Sequence, residues 1–275
     1  MSLEDAAPFG FVQLEFGFLL GPPDGRYLVR PGPDRELEAV LVLGTLGAPQ
    51  RRLVGGRRPR EIEAAEPTPV PTARATVVRP EPFRSLEQAS AWLDQRRRDR
   101  DTAEAELERA LGVLNRALRA QRAAAVDPYV AEVSAGRALA LRIGYGNGES
   151  VANGRFREAI ELPAAGRRPA RRSMEAPEER FAALLGGREQ ALPAEEHVLR
   201  ARADLNAGRP REAALEVRVA LESLLHDGGD PSLQGRQREL VSQAVSDALE
   251  GREPAGVEEA VAALEAALRR RRLRG

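Results

Sequence analysis

Residues 9–20 read FGFVQLEFGFLL, and the alternation of Val12, Leu14, Phe16, Phe18 and Leu20 marks a β-strand with one buried face. The turn residues Gly21, Pro22, Pro23, Asp24 and Gly25 follow, so 26–30 is expected to return as the partner strand of a hairpin. Further on, 37–46 is nearly all apolar, as a strand covered on both faces would be, and 73–78 reads as a weaker fourth strand. Residues 50–72 are rich in Arg, Pro and Gly and have no period, which predicts a loop. Residues 1–82 therefore read as a small β-rich domain.

A change of period follows. Ser85 with Gln88 forms a capping-box pattern, and strong helix formers run from there to about 125. A continuous helix of that length would reach about 60 Å; two stacked pieces are the alternative. Ala103, Leu107, Ala110, Leu114 and Leu118 recur at spacings of four and three, a seam that something must cover. A second copy of the chain is the expected cover, which makes Leu107, Leu114 and Leu118 candidate self-association residues in a coiled-coil oligomer.

Asp127 and Pro128 are expected to open a second helix that runs to about Ile143. The glycines of 144–148 then turn the chain, and a short helix ends near Pro163. Residues 83–163 read as a long helix and a helical hairpin, 164–175 as a linker, and 176–275 as a bundle of antiparallel helical hairpins. In that bundle proline opens helices at Pro177, Pro193, Pro210, Pro231 and about Pro254, and glycine closes them near Gly186, Gly208, Gly228 and Gly251. Apolar stripes such as Ala213, Val217, Ala220, Leu224 and Val257, Val261, Leu264, Leu268 supply buried faces. The expected class is α+β, mainly α.

The pattern G-R-x-R-E-A occurs at 154–159 and again at 208–213, with an echo from Gly251 to Ala260. Each copy is expected to put glycine at a helix end and alanine one turn into the next helix. With Ala220 seven residues after Ala213, the second copy resembles the inner half of a tetratricopeptide repeat, which implies a helical-hairpin, TPR-like bundle that presents a groove to a protein partner. The resemblance covers about 30 residues, and the copies do not recur at the family's period of about 34. Ordinary helical hairpins with the same turn chemistry remain the other reading.

Composition removes whole classes of chemistry. All 42 basic residues are arginine, matched by 42 acidic residues, so no global field draws the chain to nucleic acid or membrane. The absence of lysine reads as the mark of a GC-rich, bacterial-type genome. Without lysine or cysteine there is no phosphate-loop lysine, Schiff base, thiol nucleophile or thiolate zinc site. The start carries acids rather than a basic leader, and no apolar run approaches the roughly 18 residues of a membrane span. A cytoplasmic location with no membrane association is the expectation.

Two places remain where a ligand or partner could bind. The glycine loop Gly144, Tyr145, Gly146, Asn147, Gly148 could offer freed amides to a nucleotide or phosphate ligand. The arginine-rich loops at 51–60 and 167–172 and the tail arginines Arg269, Arg270, Arg271, Arg272 and Arg274 could contact nucleic acid, although the tail also suits a helix C-terminus. His197 and His226 read as surface and helix-end histidines. No catalytic residue, metal ligand or cofactor is expected, and the preferred reading is a non-enzymatic interaction or scaffold protein that self-associates through its long helix.

Overall fold

Val12, Leu14 and Phe16 line one face of strand β1 (Pro8–Phe16), and that face decides how the first half of the chain is built. The computed structural model describes residues 7–32, 34–47, 71–163, 177–227 and 231–272. The chain divides into two compact units, Met1–Arg171 and Arg172–Gly275.

In the first unit β1 lies inside a six-stranded antiparallel sheet of order β2-β3-β4-β1-β5-β6. Its other strands are β2 (Gly25–Val29), β3 (Ala39–Leu46), β4 (Thr72–Val78), β5 (Ala140–Asn147) and β6 (Glu158–Leu162). Leu14 stands opposite Ala75 on one side and Leu141 on the other. The expected pairing of β1 with 26–30 is corrected: β2 pairs with β3. Seven of the nine residues of β1 are buried, which requires neighbours on both edges, whereas β2 exposes Arg26, Tyr27 and Leu28 and suits the rim.

The long helix is two helices, α1 (Leu86–Arg98) and α2 (Arg100–Ala125). Asp99 breaks it with extended backbone at φ −118, ψ 109, donating its N–H to the Gln95 carbonyl and accepting from the Asp101 N–H at 3.0 Å. At the start of α1 the Gln88 N–H donates to Ser85 Oγ at 3.2 Å, and the Gln88 side chain accepts from the Arg84 N–H at 2.7 Å. Both helices lie on the Val12 face of the sheet, where Leu93, Leu107, Leu114 and Leu118 pack with Leu14, Leu41, Val77 and Ile143.

The helix expected over 128–143 is absent. Asp127 accepts from the Tyr129 N–H in a local turn, a short 3-10 turn spans Ala135–Arg137, and β5 begins at Ala140. Leu141, Ile143 and Tyr145 alternate onto the core face, a period of two inside a short apolar run that is equally compatible with a helix. The short helix expected before Pro163 is likewise a strand, β6, preceded by one turn of helix, α3 (Gly148–Ala152). Since β5 and β6 complete the sheet begun by β1, the boundary expected after residue 82 falls inside one unit. The expected linker 164–175 and the arginine-rich loop 51–60 lie outside the described residues.

The second unit is helical: α4 (Pro177–Leu185), α5 (Pro193–Asn206), α6 (Pro210–His226), α7 (Arg236–Leu249) and α8 (Val257–Arg272). Pro193 and Pro210 stand in the first turn of their helices. Pro231 opens only a 3-10 turn, Pro231–Leu233, and α8 starts three residues after Pro254. The stripes Ala213, Val217, Ala220, Leu224 and Val257, Val261, Leu264, Leu268 are buried together.

The Gly-Arg pairs are one local device. Gly208 and Gly251, at φ 68 and 79, let the N–H of Arg209 and Arg252 reach back to the carbonyls of Asp204 and Asp247. The same arginines then donate from Nε to those aspartates, at 2.8 and 3.0 Å. Gly154 and Arg155 close α3 in the same way, but Ala159 of that copy lies in β6 and not in a helix. The repeated letters encode a helix ending, not a repeated unit.

Candidate functional site

The glycines of 144–148 answer a packing demand. Gly144 and Gly146 sit in β5, facing away from α1 and α2. A Cβ at Gly144 would collide with the Glu158 carbonyl, Ala159 and Phe11, and one at Gly146 would lie 3.1 Å from the backbone of Phe156 and Arg157. Across them the rings of Phe11 and Phe156 meet at 5.6 Å. Gly144 is paired with Phe11 on one side and Ala159 on the other, so its backbone belongs to the ladder. Asn147 caps α3 by accepting the Glu149 N–H at 3.1 Å.

Tyr145 points to the opposite face, buried against α1. Its hydroxyl donates to Glu158 at 2.8 Å, and Glu158 also accepts from Arg97 at 2.7 Å. Burial first, then the bond to Glu158, pushes the phenol above its ordinary value. The Arg97 guanidinium first, then Tyr145, holds Glu158 below the ordinary carboxylate range. This chain ties α1 to the β5–β6 edge of the sheet. The residues expected to form a phosphate loop are thus split between two faces.

The seam residues Leu107, Leu114 and Leu118 lie in the core of the first unit, with Leu114 at 0% exposure. What the periodicity left open, the sheet of the same chain covers. Of the tail, Arg269 is exposed, Arg270 donates to Ser232 at 2.9 Å and Arg271 to the Asp227 carbonyl at 3.1 Å. Arg272 ends α8, its side chain lying outside the described residues, as does Arg274 altogether. His197 Nδ1 is 2.6 Å from Glu216, joining α5 to α6, and His226 lies at the rim of an open cleft with Glu222, Gln234 and Arg238. Among the described residues no group of three or more His, Cys, Asp or Glu could hold a metal ion. None of the described helices is long and apolar enough to cross a membrane.

Two features escaped the sequence reading. The first is Glu106 on α2, 6% exposed, which accepts from Arg109 at 2.7 Å and from Arg96 at 2.9 Å, with Arg79 at 3.7 Å. Burial alone would raise this carboxyl, and the guanidiniums of Arg109 and Arg96 outweigh it, leaving the group below its ordinary value. Arg96 also stacks 4.1 Å from the Trp92 ring centre, which is backed by Phe83. The spacing of Trp92 and Arg96 on one helix face was the available signal. The cluster locks α1 onto α2 across the break at Asp99.

The second feature is the outer side of α6. Opposite its buried stripe, Leu215 and Val219 stand one turn apart at 43% and 48% exposure. Glu212 and Glu216 flank them, and His197 of α5 reaches the same side through Glu216. Comparison with protein families, with curated proteins and with solved structures finds no match to this chain.

Proposed function

We propose that the chain is a non-enzymatic interaction protein whose partner docks on the helical hairpin α5–α6. The observation that carries this reading is the second apolar face of α6: one stripe is spent on the core, and Leu215 with Val219 remains outside it. Such i, i+4 pairs of aliphatic residues are the anchors by which helices meet partners in grooves and hairpin arrays. We read the hairpin as TPR-like, since Gly208 turns the chain and the small residues Ala213 and Ala220 are buried where α6 meets its neighbours.

The Leu107, Leu114, Leu118 seam takes no part in this proposal, because its apolar surface is already buried within the first unit. Nucleic-acid association takes second place, as Arg270 and Arg271 are engaged within the chain. A ligand at 144–148 takes third, with Gly144 in the ladder and its Cβ position filled.

The test replaces Leu215 and Val219 together by Glu. A partner retained by the wild-type chain, or a second copy detected by sedimentation, should be lost, while the unfolding midpoint of the second unit shifts little. Binding and oligomeric state identical in wild type and double variant would refute the proposal.

A further inference from the structure

We propose that the arginine cluster around Glu106 binds a small dianionic phosphate, taken up from solvent by Arg79 and Arg109. The site belongs to the first unit and is separate from the α6 surface. Three elements fix the place of Arg79, the residue that follows β4. A Cβ at Gly10 of β1 would lie 3.0 Å from its Cδ, its Cζ is 5.8 Å from the Trp92 ring centre on α1, and its Nη1 is 3.7 Å from Glu106 on α2.

Three guanidiniums thus converge on one carboxylate. Arg109 gives Glu106 two bonds, at 2.7 and 3.2 Å, and Arg96 gives one at 2.9 Å, while Arg79 stands too far away for a hydrogen bond. By contrast Arg97, Arg142, Arg180 and Arg252 each meet two carboxylates. Among the described residues no second carboxylate pairs with Arg79, Arg96 or Arg109, so three positive charges share one negative charge.

Donors outnumber acceptors as well. Arg79 makes no side-chain hydrogen bond among the described residues, and the buried Arg96 Nε and Trp92 Nε1 have no acceptor. Burial, ahead of every other cause, pushes the Arg96 guanidinium below its ordinary value; the bond to Glu106 opposes this, and repulsion from Arg79 and Arg109 adds to it.

Positive charge packed in this way without a counter-ion is costly. A phosphate of charge about −2 neutralises the excess that Glu106 leaves. The guanidiniums it can reach are those of Arg79 and Arg109, whose side chains are 39% and 32% exposed against 12% for Arg96. Arg79 has its whole fork of N–H groups to offer, and Arg96 adds its field from beneath.

Trp92 is the chain's only tryptophan and stacks on Arg96, so its emission reports on the cluster. The full chain is titrated with inorganic phosphate at about pH 8, where phosphate is a dianion, at constant ionic strength with chloride as the replaced salt. Trp92 emission and the unfolding midpoint are followed. A saturable change in emission and a rise in midpoint are expected, with affinity weakened about tenfold or more in Arg79→Gln, which breaks no hydrogen bond of the fold. Neither signal responding overturns the proposal, as does a response that survives Arg79→Gln. Should that variant fail to fold, survival of the response in Arg109→Gln overturns it instead.

Discussion

Helices α2 and α6 are both amphipathic, and they spend their apolar residues differently. On α2 every seam residue is covered by the sheet of its own unit, while α6 buries one stripe and leaves Leu215 and Val219 outside. An apolar seam therefore states that a cover exists without saying whose it is. The side of a helix opposite its core stripe is where an unspent contact shows.

The largest effect expected from this contrast lies on α2. Glu106→Gln should destabilise the first unit by about 4 kcal/mol, because Arg96 would keep its burial and lose its carboxylate. The native carboxyl has a lowered pKa, so its contribution is complete above the unfolded value and is lost as pH falls through the folded one. The variant should therefore flatten the acid limb of a stability curve. An unchanged acid limb would show that Glu106 does not hold α1 to α2.

Next in size, Leu114→Ala should cost about 3 kcal/mol in denaturant unfolding, and Leu215→Ala less than about 0.5 kcal/mol. Equal losses would erase the distinction between the two helices. The smallest expected effect is at the end of α2, where Val126 adopts the left-handed conformation at φ 52 and is 87% exposed. Val126→Gly should raise stability by about 1 kcal/mol, since it relieves backbone strain and gives up no packing. A loss of stability would mean that Val126 makes contacts in solution.

Much of the second unit was legible in the sequence. Its helix ends follow from prolines and glycines acting within one turn, and its buried stripes from a period of 3.6. The strands β1, β3 and β4 were legible for the same reason, through alternation or continuous apolar runs. β5 was not, because Ala138, Leu139, Ala140, Leu141 and Ile143 satisfy both periods over so short a run. The candidate sites fared worse. Gly144 and Gly146 carry the letters of an anion loop, yet glycine is needed there because the Glu158 carbonyl, Ala159 and Phe11 crowd the first and the backbone of Phe156 and Arg157 the second.

The sequence by itself determined where most helices of the second unit begin and end and which of their faces are apolar. These depend on the identity of residues within about six positions of one another, as the closures Asp204–Arg209 and Asp247–Arg252 illustrate. The tertiary structure alone decided that β1 lies between β4 and β5, that the α2 seam rests on the sheet and that Arg97, Glu158 and Tyr145 meet. Each of these is a choice among several sterically acceptable neighbours, made by the free energy of the whole packed unit rather than by any local stretch.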